Sequence, residues 1–323
     1  MRRRWLAVSL LLAALVPAGP SAAQTYPSRV IKMIVPFSAG GQPDVIARLF
    51  AQHLSTAVGA TIIDNRPGAN TTLGTRAAAE AEADGHTLLY GSATSLALAP
   101  ALNKSPGYDP VKSFAPIATF STSPFMLFVG KNVPESVKTV DDFIVYAKKN
   151  PGKLNFAAPT GGPPHLAGEL FKRAVGIEMV PVSYRSLNQA FTDLIGGQMD
   201  VLFDGPAPMM PLLAEGKVRV LVSMGARRSA SLPEVKTMKE AGLPDVQLET
   251  WNGLVAPAGT PAPIVKRLNG VVNDGLKSKE IQEALFKFAS DPFISTPEEF
   301  SALIGRESKK WADLVTAANL KIE

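Results

Sequence analysis

The sequence predicts an α/β fold of doubly wound sheets, on three observations. Short apolar runs, hydrophobic on successive residues and so on both faces, recur along the chain. Stretches with helical patterning and helix start or stop signals separate them. Loops rich in glycine and hydroxyl residues lead from the runs into the helices. Strand and helix in alternation build a sheet with helices packed on both faces.

The runs at 30–36, 61–63, 87–90, 125–129, 154–157, 180–183, 201–203 and 218–222 read as buried strands. A helix over 44–57 opens on a Pro43-Asp44 step, with Asp44 placed as its N-cap. Residues 73–83 are alanine-rich. The helix over 139–149 starts with Thr139 as cap and Asp141 and Asp142 in its first turn, where acids meet the positive end of the helix dipole. The helix over 186–195 is capped by Ser186 and stopped by Gly196-Gly197. After residue 257 the alternation gives way to three helices, over 261–276, 279–289 and 296–318. The last opens on Thr296-Pro297-Glu298-Glu299, a capping box with an early proline.

The first 23 residues stand outside this fold. Arg2, Arg3 and Arg4 precede an apolar run over 5–16, and Ser21-Ala22-Ala23 follow. That is the pattern of a secretory signal cleaved after Ala23. The run is short of the roughly 20 residues that span a bilayer. The remaining 300 residues exceed one ordinary core and suggest about two domains.

Composition excludes several classes. At 46% hydrophobic and 19% charged the chain is neither disordered nor fibrous. It has no cysteine, which removes disulfides, thiol nucleophiles and iron–sulfur clusters. Without the three leader arginines, 30 basic residues face 28 acidic ones, scattered and without a basic stripe, so nucleic acid is not an expected partner. The sequence implies no cofactor and no metal. GxSxG, HExxH, GxxxxGK[ST] and GxGxxG are all absent. His53, His86 and His165 are the only histidines, and the His165–Glu169 spacing fits a helix-surface pair better than a metal or acid–base site.

Chemistry concentrates in four loops. The first carries Phe37, Ser38, Ala39, Gly40, Gly41 and Asp44; the second includes Asn70; the third has Ser92 and Ala93; the fourth has Thr160 and Gly161. In open α/β sheets ligands sit beyond the carboxyl ends of the strands. Helix N-termini there offer free N–H groups, and glycine lets the backbone come close. Four such loops make a site for a small anion such as a carboxylate, or else are only the tight turns any α/β fold needs. With a signal segment and no catalytic motif, the first reading points to a periplasmic binding protein.

Several stretches carry a resemblance across the whole mature chain. They include IVPFSAGGQPDVIAR over 34–48, Asp64-Asn65-Arg66-Pro67-Gly68-Ala69, HLAGELFK over 165–172, GGQMDVLFD over 196–204 and GLVAPAGTPAPIV over 253–265. In order and spacing the chain resembles the Bug family, the extracytoplasmic solute receptors of tripartite tricarboxylate transporters. The resemblance implies a type II-like periplasmic binding protein, two doubly wound domains hinged by two crossing segments. Domain 1 would comprise 24–123 plus 247–323, and domain 2 would be 124–246. It implies a periplasmic, non-enzymatic monomer holding a small carboxylate (a di- or tricarboxylate, an amino acid or an aromatic acid). It implies as partner a membrane permease, or else a sensor receptor of the same pocket.

By position, the first-domain contacts map onto Phe37 to Asp44 and the second-domain contacts onto Thr160 to His165. Ala39 stands where the family usually has proline, and Pro163-Pro164 remove two N–H donors ahead of His165. Asp204, ending a strand, either takes an ammonium or hydroxyl of the ligand or caps a turn. Arg185 either pairs with a second carboxylate or lies on the surface. Tyr184 and Phe37 offer flat faces to an aromatic acid.

Overall fold

The computed structural model describes residues 26–103, 105–157, 162–184 and 187–318. In the first half, β1 (Ile31–Val35), α1 (Gln42–Ala57), β2 (Thr61–Asn65), α2 (Thr72–Ala79) and β3 (Thr87–Ser92) alternate as the sequence predicts. A π-helical turn (Thr94–Leu98) and α3 (Ala99–Leu102) lead to β4 (Phe114–Pro124) and β5 (Met126–Val129). Then come α4 (Val140–Lys149), β6 (Asn155–Ala157), α5 (Pro163–Val175), β7 (Val180–Val182), α6 (Leu187–Gly196) and β8 (Val201–Asp204). A 3-10 turn (Ala207–Met209), α7 (Met210–Ala214) and β9 (Arg219–Ser223) complete that unit. The chain ends with β10 (Glu249–Pro257), α8 (Ala262–Gly275), α9 (Lys279–Phe286), β11 (Asp291–Pro292) and α10 (Pro297–Ala317).

Two sheets result. The first has the order β11-β4-β10-β3-β1-β2 and the second β7-β6-β8-β5-β9. β1 lies parallel to β2 and β3, while β10 is antiparallel to both β3 and β4. In the second sheet β6 is parallel to β7 and β8, and β5 is antiparallel to β8 and β9. Both sheets are therefore mixed, and each has its parallel strands at one side.

Side-chain alternation explains the layering. In β1, Ile31, Met33 and Val35 enter one apolar cluster with Phe50 and Leu54 of α1, while Ile34 faces the opposite cluster. In the second sheet Leu202 of β8 faces Met126 and Leu194, while Val201 and Phe203 face Phe156 and Phe171. One cluster is continuous from Leu89 and Trp251 in the first sheet to Phe156 and Phe203 in the second.

The units are joined twice. β4 passes into β5 through Phe125, and residues 224–248 return from β9 to β10. At the crossing the Phe125 amide donates to Leu248 O at 3.1 Å, the Met224 amide to Phe125 O at 2.7 Å and the Leu248 amide to Met224 O at 2.9 Å. The C-terminal helices return to the first sheet. Asn269 of α8 donates to Ile117 O of β4 at 2.7 Å, and Ser308 of α10 donates to Leu96 O at 3.0 Å.

Most helix signals act as read. Thr139 and Thr296 each close a capping box, with Asp142 and Glu299. Thr296→Ala should cost about 1 kcal/mol, seen as a lower urea midpoint with an unchanged slope; an unaltered midpoint would remove the cap's role. One reading needs correction. The N-cap of α1 is Gly41, and Asp44 lies in the first turn instead. The eleven-residue strand β4 was not expected, since its Ser, Thr and Pro content lacks an apolar run.

Candidate functional site

The C-terminal ends of β1, β2 and β3 lead into the first three loops, and on the second sheet β8 ends at Asp204. A path of short contacts joins the two across the crossing. Gln42, first residue of α1, donates to Ser290 Oγ at 3.3 Å, and Ser123 donates to the neighbouring Ala289 O at 3.2 Å. A Cβ on Gly205, the residue after β8, would lie 3.7 Å from that same Ser123 Oγ. The start of α1 and the end of β8 thus lie close together beside the crossing strands.

The first loop is held from below. Asp44 is only 2% exposed. Its Oδ2 accepts the Gly40 amide at 2.9 Å and Arg48 Nε at 2.9 Å, and its Oδ1 accepts Asn65 Nδ2 at 2.9 Å. Asn65, at the end of β2, also donates to Phe37 O at 3.2 Å. Burial pushes the Asp44 carboxyl upward, but the bonds from Arg48, Gly40 and Asn65 outweigh it and hold it below the ordinary range. Asp44 is therefore a clasp whose lone pairs point into the protein. Asn65 and Arg48 complete it, and sequence reasoning gave neither a role.

The clasp leaves Ser38, Ala39, Gly40 and Gly41 exposed. Gly40 sits at φ +83°, a region that favours glycine. No side chain caps α1 at Gly41, and Pro43 has no N–H, so the first turn keeps amides that no side chain caps. The Phe37 ring is partly buried, edge-on to Tyr90 at 6.2 Å between centroids.

The second loop carries strain. Gly68, Ala69, Asn70 and Thr71 have φ of +133°, +45°, +49° and +74°. Left-handed backbone costs ordinary residues about 1–2 kcal/mol each. It persists here because Thr75 Oγ1 ties down Thr71 O at 2.9 Å and the Thr72 amide ties down Ala69 O at 3.1 Å. Asn70 stands exposed at the tip. The third loop is closed: the Ser92 amide donates to Ser95 Oγ at 2.9 Å, and both serines and Ala93 are buried.

On the second sheet, His165 is the third residue of α5, partly buried, 6.2 Å from the Phe156 ring. Burial pushes its pKa down, so it is neutral near pH 7. Glu169 gives its Oε1 to Lys172 Nζ at 2.8 Å. Tyr184 donates its hydroxyl to Asp193 Oδ2 at 2.7 Å, and burial with that partner raises its pKa to about 12. Asp204 ends β8. The Gly205 amide donates to its Oδ1 at 2.8 Å, while its shielded Oδ2 has no partner among the described residues. Burial raises this carboxyl to about 7. Thr160, Gly161 and Arg185 lie outside the described residues.

The other histidines are structural. His53 Nε2 meets Val271 O at 2.9 Å between α1 and α8, and His86 Nε2 accepts the Ser28 amide at 3.1 Å. Among the described residues no cluster of three His, Asp or Glu is set to hold a metal, and no helix is long and apolar enough to cross a membrane.

Residues 46–320 match the model of the tripartite tricarboxylate transporter family receptor. The chain belongs to the tripartite tricarboxylate transporter receptor family. Three solved structures agree. The periplasmic binding protein BugD is 31% identical, with a TM-score of 0.70, covering 92% of this chain and 99% of that one. An R. palustris protein solved with adipate is 32% identical at a TM-score of 0.73, covering 92% and 99%. MatC from Rhodopseudomonas palustris, solved with bound malate, is 32% identical at 0.70, covering 90% and 100%. The two-sheet α/β architecture is that of periplasmic binding proteins, and the chain is a solute-binding receptor of this family.

Proposed function

We propose that this receptor captures a small carboxylate in the crevice between its two sheets. The observation that carries the proposal is the clasped first loop. Gly40 and Gly41 are exposed at the uncapped start of α1 while the Asp44 carboxylate is turned away beneath them. A solute carboxylate there meets amides and a positive dipole end without facing an unshielded acid. Relatives solved with adipate and malate support that ligand class.

In this reading domain 1 comprises 24–123 plus 247–323, domain 2 comprises 124–246, and the crossing strands are the hinge. Closure brings contacts from both domains onto the solute at once. Each charge-assisted hydrogen bond contributes roughly 1.5–3 kcal/mol. A few of them reach the roughly 8 kcal/mol of micromolar affinity. The leader is cleaved after Ala23, the mature chain works in the periplasm without catalysing a reaction, and the closed form is read by a membrane permease. The contacts on the first domain come from residues 38–41 and Asn70. On the second they come from Thr160, Gly161, His165, Arg185 and Asp204, with Phe37 and Tyr184 as flanking faces.

Gly41→Leu tests the first loop. Gly41 lies at φ −77°, and a Cβ there would be 3.7 Å from its nearest neighbours, so the side chain fits without moving backbone. It would cover the uncapped amides. We expect calorimetric affinity for the best-binding small acid to fall at least tenfold with melting temperature unchanged. Unchanged affinity removes the loop from the site.

A further inference from the structure

We propose that Asp204 is the specificity-determining residue of the crevice: its Oδ2 takes a hydrogen bond from a donor on the solute, an ammonium or a hydroxyl, so the receptor selects carboxylates that bear such a donor over plain ones. This rests on the carboxylate-receptor reading and deepens it.

The buried aspartates are satisfied within the protein. Asp44 has three donors. Asp200 accepts Asn132 Nδ2 at 3.2 Å and the Asn155 amide at 2.9 Å. Asp291 accepts the Ala230 amide at 3.0 Å. Asp204 differs. One oxygen has the Gly205 amide, and the other is shielded and, among the described residues, has nothing to accept from. Shielded polar atoms without partners are rare, and each calls for an explanation.

Position supplies it. Asp204 is the last residue of β8, on the sheet face of Leu202, and the residue after it adjoins Ser123 at the crossing. The residue as a whole keeps partial exposure. Among the described residues, burial and the Gly205 amide set its protonation, with no cation beside it. A carboxyl so placed is unfavourable in the empty protein and is relieved by a donor arriving with the solute. An ammonium brings charge and donor together, and a hydroxyl brings the donor. The second carboxylate of a plain diacid would instead meet an acid. It would bind only where Asp204 keeps its proton.

Matched series test this by titration calorimetry on the mature chain at pH 8: succinate, malate and aspartate; glutarate, 2-hydroxyglutarate and glutamate; benzoate and 4-hydroxybenzoate. In the series that binds, the donor-bearing member should be about 10- to 100-fold tighter than the plain one. Asp204→Ala should remove that difference, and Asp204→Asn, whose amide oxygen still accepts but carries no charge, should reduce it. Aspartate or glutamate above the hydroxy acid assigns an ammonium, and the reverse assigns a hydroxyl. A plain acid that binds as tightly as its donor-bearing partner, or a preference that survives Asp204→Ala, overturns the proposal.

Solute-free melting controls for folding. The folded carboxyl titrates near 7, above the ordinary carboxylate value, so its burial costs stability progressively as pH rises from that ordinary value to about 7, and the full cost stands above it. Asp204→Asn should therefore melt above the parent, by most at pH 8 and by less at pH 5, and equal it only below the ordinary carboxylate value. If no acid binds and the extract of the denatured protein holds no carboxylate, the receptor reading falls, and this inference with it.

Discussion

Asp44→Ala should lower stability by about 2–4 kcal/mol and weaken solute capture at least tenfold. The carboxylate is buried, and its removal strands the Gly40 amide and one Asn65 amide hydrogen. Each hydrogen bond to a charged group contributes roughly 1.5–3 kcal/mol, and water restores only part of the bonding that the exposed Gly40 and half-buried Asn65 donors lose. The Arg48 bond adds little, because that side chain is 55% exposed and water takes over its partner.

Binding falls for a separate reason. The bonds from Gly40 and Asn65 to Asp44 tie the first loop to the end of β2, and without them the exposed backbone at residues 40–41 loses its position. The folded carboxyl lies below its ordinary value, so its contribution is present above that value and is lost as pH falls through the folded one. The mutational loss should therefore be constant between pH 5 and 8. Urea melts at both pH values, with calorimetry alongside, measure it. A variant of parental stability and affinity would show that Asp44 holds nothing.

Gly74→Val should cost about 3 kcal/mol and reduce affinity as well. Gly74 lies in the first turn of α2, where the helix touches the chain leaving both β1 and β2. A Cβ there would stand 2.6 Å from Arg66 O, 3.0 Å from Pro36 Cβ and 3.1 Å from Pro36 Cα. Two of those atoms are backbone, so the contact is relieved only by moving the strand ends. Pro36 begins the first loop and Arg66 the second, so strain relief displaces both. Gly305 of α10 provides the contrast, since a Cβ there meets nothing within 4 Å. Gly305→Ala should stabilise by about 0.5–1 kcal/mol through helix propensity. If Gly74→Val melts with the parent, the close approach is not what positions the loops.

Much of the fold was legible because burial on both faces leaves a mark in sequence. The parallel strands β1, β3 and β8 are covered on either side, so their residues are apolar in succession. Capping boxes are local chemistry and survive translation into structure, as at Thr139 and Thr296. β4 was not legible. It runs antiparallel between β10 and β11, and Thr119, Ser121 and Thr122 are buried there among polar partners such as Ser295. The return of α8 and α10 to the first sheet depends on contacts across more than 140 residues, such as Asn269 to Ile117. Periodicity carries no trace of those.

The site was legible as loops and less so as roles. Asp44 next to Pro43 reads as a cap, because caps and first-turn acids share composition. Only the Gly40, Asn65 and Arg48 contacts show that it clasps the loop. The Tyr184 hydroxyl is committed to Asp193, nine residues on, which spacing alone did not reveal. That the Oδ2 of Asp204 has no partner among the described residues is a fact of packing and has no counterpart in sequence.

The central claim is that a small carboxylate binds this receptor between its two domains. The most direct measurement is the melting temperature of residues 24–323 against citrate, succinate, malate, adipate, aspartate, glutamate, nicotinate and terephthalate, with mass spectrometry of the denatured protein's extract. A ligand at 100 times its dissociation constant stabilises by about 2.7 kcal/mol. The account predicts a clear upward shift with at least one acid, or a carboxylate already in the extract, and a reduced shift in Gly41→Leu. A flat panel together with an extract free of any carboxylate would contradict it.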